Sequence, residues 1–363
     1  MKHRSVRMLL ASAAAVALLA ACGSSGKSSE STTTAKSGET TTTEAQLAAA
    51  TLTSSGSTFQ APFIEAVAEA FTGVQPNIQV PYAGGGSGKG QTDLQGNIVT
   101  FAGSDGLPKP EDLPLFTGGP LLYFPTVAGP ITVSYNLSGV DGLKLSAKTL
   151  AGIFQGQITA WNDAAIKDQN RSVDLPDTPI AVIVRSDGSG TTANFTKFLN
   201  VAAAGSWKLG TDKAPKWQSG VQTGNGNSGM ASAIKSTPGA IGYVDYSDAK
   251  AAGLSFAAIE NASGTFVEPS IESASAAVEA STLAADLSYD PINAKGAKVY
   301  PITSPTWILL YKNQKDANVA AALRSWLHFV LTEGQTIAPT VDYAPLPAGF
   351  TEKAIAQIDQ ITG

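Results

Sequence analysis

Residues 180–195 constrain the fold of this chain more than any other stretch. Ile180-Ala-Val-Ile-Val184 is a short apolar run and reads as a buried strand, while Phe195, Phe198 and Leu199 have the spacing of a helix face. Between them lies Arg185-Ser-Asp-Gly-Ser-Gly-Thr191, a tight turn rich in glycine and hydroxyls. Two more turns share this make-up: Ser55-Gly-Ser-Thr-Phe59 after Thr51–Thr53, and Gly84-Gly-Gly-Ser-Gly88 after Asn77–Tyr82. Strands are also expected over 121–127, 131–135, 240–246 and 307–311. Helices are expected over 59–71, 191–203, 317–331 and 351–361, from a Ser146 cap to Phe154, and on the surface over 273–287. Short strands alternating with helices define an α/β fold class.

Each of the three turns sits where a strand hands over to a helix. The first backbone N–H groups of a helix lack internal partners, and the helix dipole adds positive potential there. Glycine lets a ligand approach the backbone, and hydroxyls add donors. Such a turn serves equally as an anion site or as an ordinary cap by Ser189 or Thr191. If the three converge, they make a cage of N–H and O–H donors. Asp105 ends the apolar stretch Thr100-Phe-Ala-Gly-Ser-Asp105. A carboxylate facing such a cage suits only an anion that carries a proton; otherwise it is a turn aspartate.

Several chemistries are excluded. The first 21 residues hold a basic start (Lys2, Arg4, Arg7), then an apolar run from Met8 to Ala21 that is too short to span a membrane stably, ending Leu19-Ala-Ala-Cys22. This pattern predicts a lipoprotein signal peptide over 1–21 with lipidation of Cys22, the chain's one cysteine. Cleavage removes three basic residues and no acids, so the net charge moves from −5 to −8. That excludes a nucleic-acid partner. Residues 22–50 are rich in Gly, Ser, Thr and Ala and read as a flexible tether with a span of roughly 30 Å. The remaining ~313 residues suffice for two domains. Only His328 remains as a histidine after cleavage, and its apolar setting reads as a packed core position. A Ser-His-Asp triad could be built only around this residue, which lies in no nucleophile motif, and a Cys/His metal cluster is absent. Gly88-Lys89 fails as a P-loop, because Ala83 and Gly90 stand where Gly and Ser/Thr are needed. Gly224-x-Gly226-x-x-Gly229 has no apolar strand leading into it, so no cofactor is expected.

Eight segments in order carry a family resemblance. They are Gly56-Ser-Thr-Phe-Gln-Ala-Pro62, Tyr82-Ala-Gly-Gly-Gly-Ser87, Phe101-Ala-Gly-Ser-Asp105, Phe124-Pro-Thr-Val127, Ile158-Thr-Ala-Trp-Asn162, Arg185-Ser-Asp-Gly-Ser-Gly-Thr191, Pro238-Gly-Ala-Ile-Gly-Tyr-Val-Asp-Tyr246 and Pro301-Ile-Thr-Ser304. From about Leu52 to Leu346 the chain resembles the periplasmic phosphate-binding proteins of bacterial phosphate ABC transporters. The resemblance implies a two-lobe, type II periplasmic-binding-protein fold with two crossover hinge strands and a cleft. The lobes would be 51–127 plus 304–363, and 128–303. It also implies an extracytoplasmic, membrane-anchored monomer with no catalytic activity or cofactor, which passes inorganic phosphate to permease subunits. Phosphate contacts would fall on Thr58, Phe59, Ser87 and Asp105 in one lobe. Arg185, Ser189, Gly190 and Thr191 would supply the other, with Asp187 holding Arg185. Thr100 and Gln60 depart from the family pattern, where Asp and Pro are common. A protonated oxyanion such as arsenate, or a phosphate-ester hydrolase, are the alternative readings.

Overall fold

The computed structural model describes residues 45–363; Cys22, the signal segment and most of the 22–50 tether lie outside them. The main sheet has nine strands. These are β1 (Ser54–Gly56), β2 (Tyr82–Ala83), β3 (Phe101–Ser104), β4 (Leu121–Tyr135), β5 (Ala181–Arg185), β6 (Gln222–Gly224), β7 (Ala240–Asp245), β8 (Ser255–Phe256) and β9 (Thr303–Tyr311). Their order is β2-β1-β3-β9-β4-β7-β5-β6, with β8 also on β4. At one end β1 runs parallel to β2 and β3; at the other β5 runs parallel to β7 and β6. The antiparallel pair β9 and β4 joins the two ends. This is a two-lobe α/β architecture, with one parallel cluster in each lobe.

Helices follow the strands: α1 (Ala61–Phe71), α2 (Gly86–Gln95), α3 (Ala147–Phe154), α4 (Gly190–Ala202), α5 (Gly226–Ser236), α6 (Tyr246–Ala251), α7 (Ala317–Leu331) and α8 (Ala348–Ile358). The longest, α7, starts because the Asp316 carboxylate accepts from the N–H groups of Asn318 and Val319. Its buried face carries Ala320, Leu323, Trp326, Leu327 and Val330. Trp326 packs edge-on to Phe71 of α1 (centroids 5.4 Å apart) and stacks on Phe101 of β3 (6.3 Å). Burying an aromatic of this size contributes about 1.5–3 kcal/mol.

Three expectations are corrected. His328 is exposed. At 100° per residue it shares a helix face with Ala321, Arg324 and Ser325, none of which is buried, and points away from the core stripe. The 273–287 helix is shorter, Ile271–Glu279, with Ser270 as its cap. The two strands expected at 121–127 and 131–135 are one 15-residue strand. Ala128-Gly-Pro130 has the composition of a turn, yet Gly129 is there for space: a Cβ would lie 3.1 Å from the Phe59 ring and 3.3 Å from Tyr343. Helix boundaries elsewhere agree within a few residues, and α7 matches the expected 317–331.

Candidate anion-binding site

Loops after the parallel strands of both ends meet over the middle of the sheet, where α/β folds bind ligands. The turns after β1, β2 and β5 converge there, and they do so across the gap between lobes. The Gly88 N–H donates to Gly188 O (2.8 Å). A Cβ on Gly86 would sit 2.3 Å from Asp187 Oδ2, and one on Gly190 would sit 2.3 Å from Ser87 Oγ and 2.5 Å from Asp105 Oδ2. These contacts leave no room for any other residue, which accounts for the glycines. Lys213 on one lobe donates to Gln91 on the other, and Lys109 approaches Asp212 (3.7 Å) at the rim. The Gly190→Ala variant is expected to resist closure at a cost of about 1–3 kcal/mol. Small-angle scattering with and without phosphate checks this: a radius of gyration that contracts as in the unmodified protein would refute it.

Arg185 ends β5 and is 5% exposed. Its Nε donates to Asp187 Oδ1 (2.7 Å) and its Nη2 to Asp187 Oδ2 (2.5 Å), so Asp187 fixes the guanidinium plane. Nη2 also reaches Thr58 Oγ1 of the opposite lobe (3.2 Å), and Nη1 reaches Thr191 Oγ1 (3.4 Å). Ser189 caps α4 by accepting from Thr192 N (3.1 Å), and its own N–H donates to Lys213 O (3.0 Å). The Gly190 and Thr191 N–H groups begin the helix, where no internal acceptor exists. The Phe59 N–H donates to Ser57 Oγ (3.0 Å), and the Phe59 ring is buried.

Asp105 follows β3 and is 2% exposed. Its N–H donates to Ser87 Oγ (3.0 Å), and that hydroxyl donates back to Oδ2 (3.2 Å). Asn194 of α4 donates to Asp105 O (2.7 Å) and to Ser304 Oγ (2.8 Å). The other carboxylate oxygen, Oδ1, is buried without a hydrogen-bond partner. Burial pushes the carboxyl up to about 7, against the opposing pull of the Ser57 hydroxyl, the Arg185 charge and Ser87. A carboxyl titrating near neutrality can accept a proton from an anion or donate one to it.

All eight expected contact residues and Asp187 therefore come together where the turns after β1, β2, β3 and β5 meet. Sequence reading missed Asn227, in the first turn of α5, inside the glycine pattern set aside as a failed cofactor fingerprint. Asn227 is fully buried and touches Thr58 and Thr191. The signal was present: Gly224-Asn-Gly-Asn227 is a fourth strand-to-helix turn of the same type. Asp245 was also missed. It caps α6, is fully buried, and lies 3.2 Å from the hydroxyl of Tyr343. Burial, then the nearby Asp248 charge, pushes its carboxyl up to about 8. Tyr343 donates to Phe59 O (2.5 Å), tying this cluster to the turn after β1. Gln60, one of the two departures from the family pattern, accepts from Thr126 of β4 and donates to Trp307 O of β9.

The PBP superfamily domain matches residues 32–333. The chain is 35% identical over 315 residues to the phosphate-binding protein PstS of Pasteurella multocida, covering 85% of this chain and 90% of that one. It is 36% identical over 323 residues to phosphate-binding protein PstS 3 of Mycobacterium tuberculosis, covering 86% of each. Its fold matches the high-affinity periplasmic phosphate-binding protein PfluDING, solved with bound phosphate. That match has a TM-score of 0.70 and 22% identity, over 85% of this chain and 94% of that one. A phosphate ABC transporter substrate-binding protein from Clostridium perfringens matches with a TM-score of 0.60 and 20% identity, over 82% and 100%. On sequence and fold together, the chain belongs to the PstS family of phosphate-binding proteins.

Proposed function

We propose that this protein captures inorganic phosphate between two closing lobes, 51–127 plus 304–363 and 128–303, and delivers it to the permease subunits of an ABC transporter. The single observation that carries the reading is Asp105 Oδ1, a buried carboxylate oxygen without a partner inside a cleft otherwise lined by donors. That combination suits a tetrahedral anion that keeps a proton. Arg185 supplies charge. Thr58, Ser189 and Thr191 supply hydroxyls, and the backbone at Gly190 and Thr191 supplies N–H groups; the Ser87 hydroxyl and the Phe59 N–H would turn to the anion from Asp105 Oδ2 and Ser57 Oγ. Charge-assisted bonds of about 1.5–3 kcal/mol each hold a dehydrated anion in such a site. Closure of two lobes on a ligand is the mode that periplasmic binding proteins illustrate.

The reading is binding without catalysis. Among the described residues no helix is long and apolar enough to cross a membrane. The reading anchors the protein through a lipid on Cys22 and has it act as a monomer on the extracytoplasmic face of the membrane. Calorimetric titration with phosphate, with sulfate and arsenate as competitors, tests the assignment. Saturable 1:1 phosphate binding that sulfate does not displace at pH 8.5 is expected, and arsenate is expected to compete. No heat and no thermal shift with phosphate would overturn it; release of phosphate from a chromogenic ester would favour a hydrolase.

A further inference from the structure

Asn227 is oriented by a group that can only donate. The Asp245 N–H lies 3.2 Å from its Oδ1, so the side-chain Nδ2 faces the cleft. Nδ2 is 3.3 Å from Thr58 Oγ1 and 3.3 Å from Thr191 Oγ1. The Asn227 backbone N–H, free in the first turn of α5, is 3.2 Å from Thr58 Oγ1. Arg185 brings Nη2 to the same Thr58 oxygen and Nη1 to Thr191. The guanidinium, the amide NH₂ and the backbone N–H all donate and none can accept. A hydroxyl has two lone pairs and one proton, so with its lone pairs engaged each threonine keeps only its proton to offer a ligand.

We propose that Asn227 is a positioning residue that makes the Thr58 and Thr191 hydroxyls obligate donors to the bound anion, one from each lobe. The inference rests on the phosphate reading and adds a polarity rule to it. The cleft has a fixed set of donors, and Asp105 is its one acceptor. Asn227 also bridges the lobes, because its α5 belongs to one and Thr58 to the other. The Thr191 hydroxyl is set within its own lobe, whereas the Thr58 hydroxyl is set as a donor only when the cleft is closed.

Asn227→Asp is nearly isosteric and reverses the sign of the control. An ionised carboxylate would accept the threonine protons and repel the anion, whereas its protonated form again supplies a donor. Relative to the unmodified protein measured in parallel, N227D is expected to bind phosphate at least 30-fold more weakly at pH 9. Asn227→Ala, which removes the amide and adds no acceptor, is expected to lose less, about tenfold. Binding within twofold of the unmodified protein at pH 9 would overturn the proposal. So would a folded N227D that binds no more weakly than Asn227→Ala, which is what packing damage alone produces. If N227D does not fold, Asn227→Ala decides: about tenfold weaker binding with an intact melting transition supports the role, and unchanged affinity refutes it. Failure of the unmodified protein to bind phosphate would instead refute the parent reading.

Discussion

Replacing Asp105 with asparagine is expected to erase about 100-fold of the preference for phosphate over sulfate at pH 9. Phosphate keeps a proton at that pH and can donate it to an ionised Asp105. Sulfate has none, so Asp105 must itself be protonated to face it, or two acceptors oppose each other in a dry site. The carboxyl titrates at about 7, so it is largely protonated below that pH and ionised above it. Each pH unit above 7 therefore costs sulfate about tenfold, or about 1.4 kcal/mol. Near pH 7 and below, Asp105 alone contributes little discrimination. In D105N the amide offers an oxygen to phosphate and an N–H to sulfate, so the preference is expected to fall and lose this pH dependence. Competition calorimetry from pH 6 to 9 reads both. Sulfate affinity that is flat with pH in the unmodified protein would remove Asp105 from this role.

Arg185→Ala is expected to weaken phosphate binding at least 100-fold, about 3 kcal/mol, within the range for truncating a buried, hydrogen-bonded charge. Its side chain is 1% exposed and engages Asp187, Thr58 and Thr191 at once. The loss has two parts: the anion loses a facing cation, and Asp187, a largely buried carboxylate, is left with only the Gly226 N–H. The second part also lowers the stability of the unliganded protein, by about 3–5 kcal/mol if Asp187 stays ionised. Arg185→Lys keeps the charge but not the planar fork, and is expected to fall between the two. Calorimetry and thermal melting together separate these parts. Affinity within twofold of the unmodified protein would place Arg185 outside the site.

The residues most legible in the sequence were those whose chemistry and backbone demands coincide. Arg185 to Thr191 announces itself because a cation, two glycines and three hydroxyls crowd a strand-to-helix turn, and the same holds for Thr58 and Ser87. Asp105 was legible because a carboxylate ending an apolar run needs a reason. Asn227 was not, because asparagine near a helix start is ordinary capping chemistry; only the fold brings it to Thr58, 169 residues away. Tyr343 and Asp245 meet for the same non-local reason, through 98 residues of separation. His328 was misread because composition marks an apolar helix and only helical phase says which face a residue takes. The merged strand β4 escaped because Gly129 and Pro130 usually signal a turn, whereas here they serve close packing against Phe59 and Tyr343.

That merged strand determines how the halves can move. β4 pairs with β9 along one edge from Leu121 to Pro130 and with β7 along the other from Ile131 to Tyr135, so one continuous strand runs from lobe to lobe. The joint is thus a flexure and not a pivot: opening the cleft must twist a hydrogen-bonded ribbon, and the ribbon stores part of that work elastically. Its weak point is local. The register slips between Pro305 and Trp307, opposite a stretch holding Pro125, and neither proline has an N–H to give the ladder. Compliance concentrated there favours a short, repeatable stroke over a wide swing, so the donors of one lobe return to the same positions against the other at every closure.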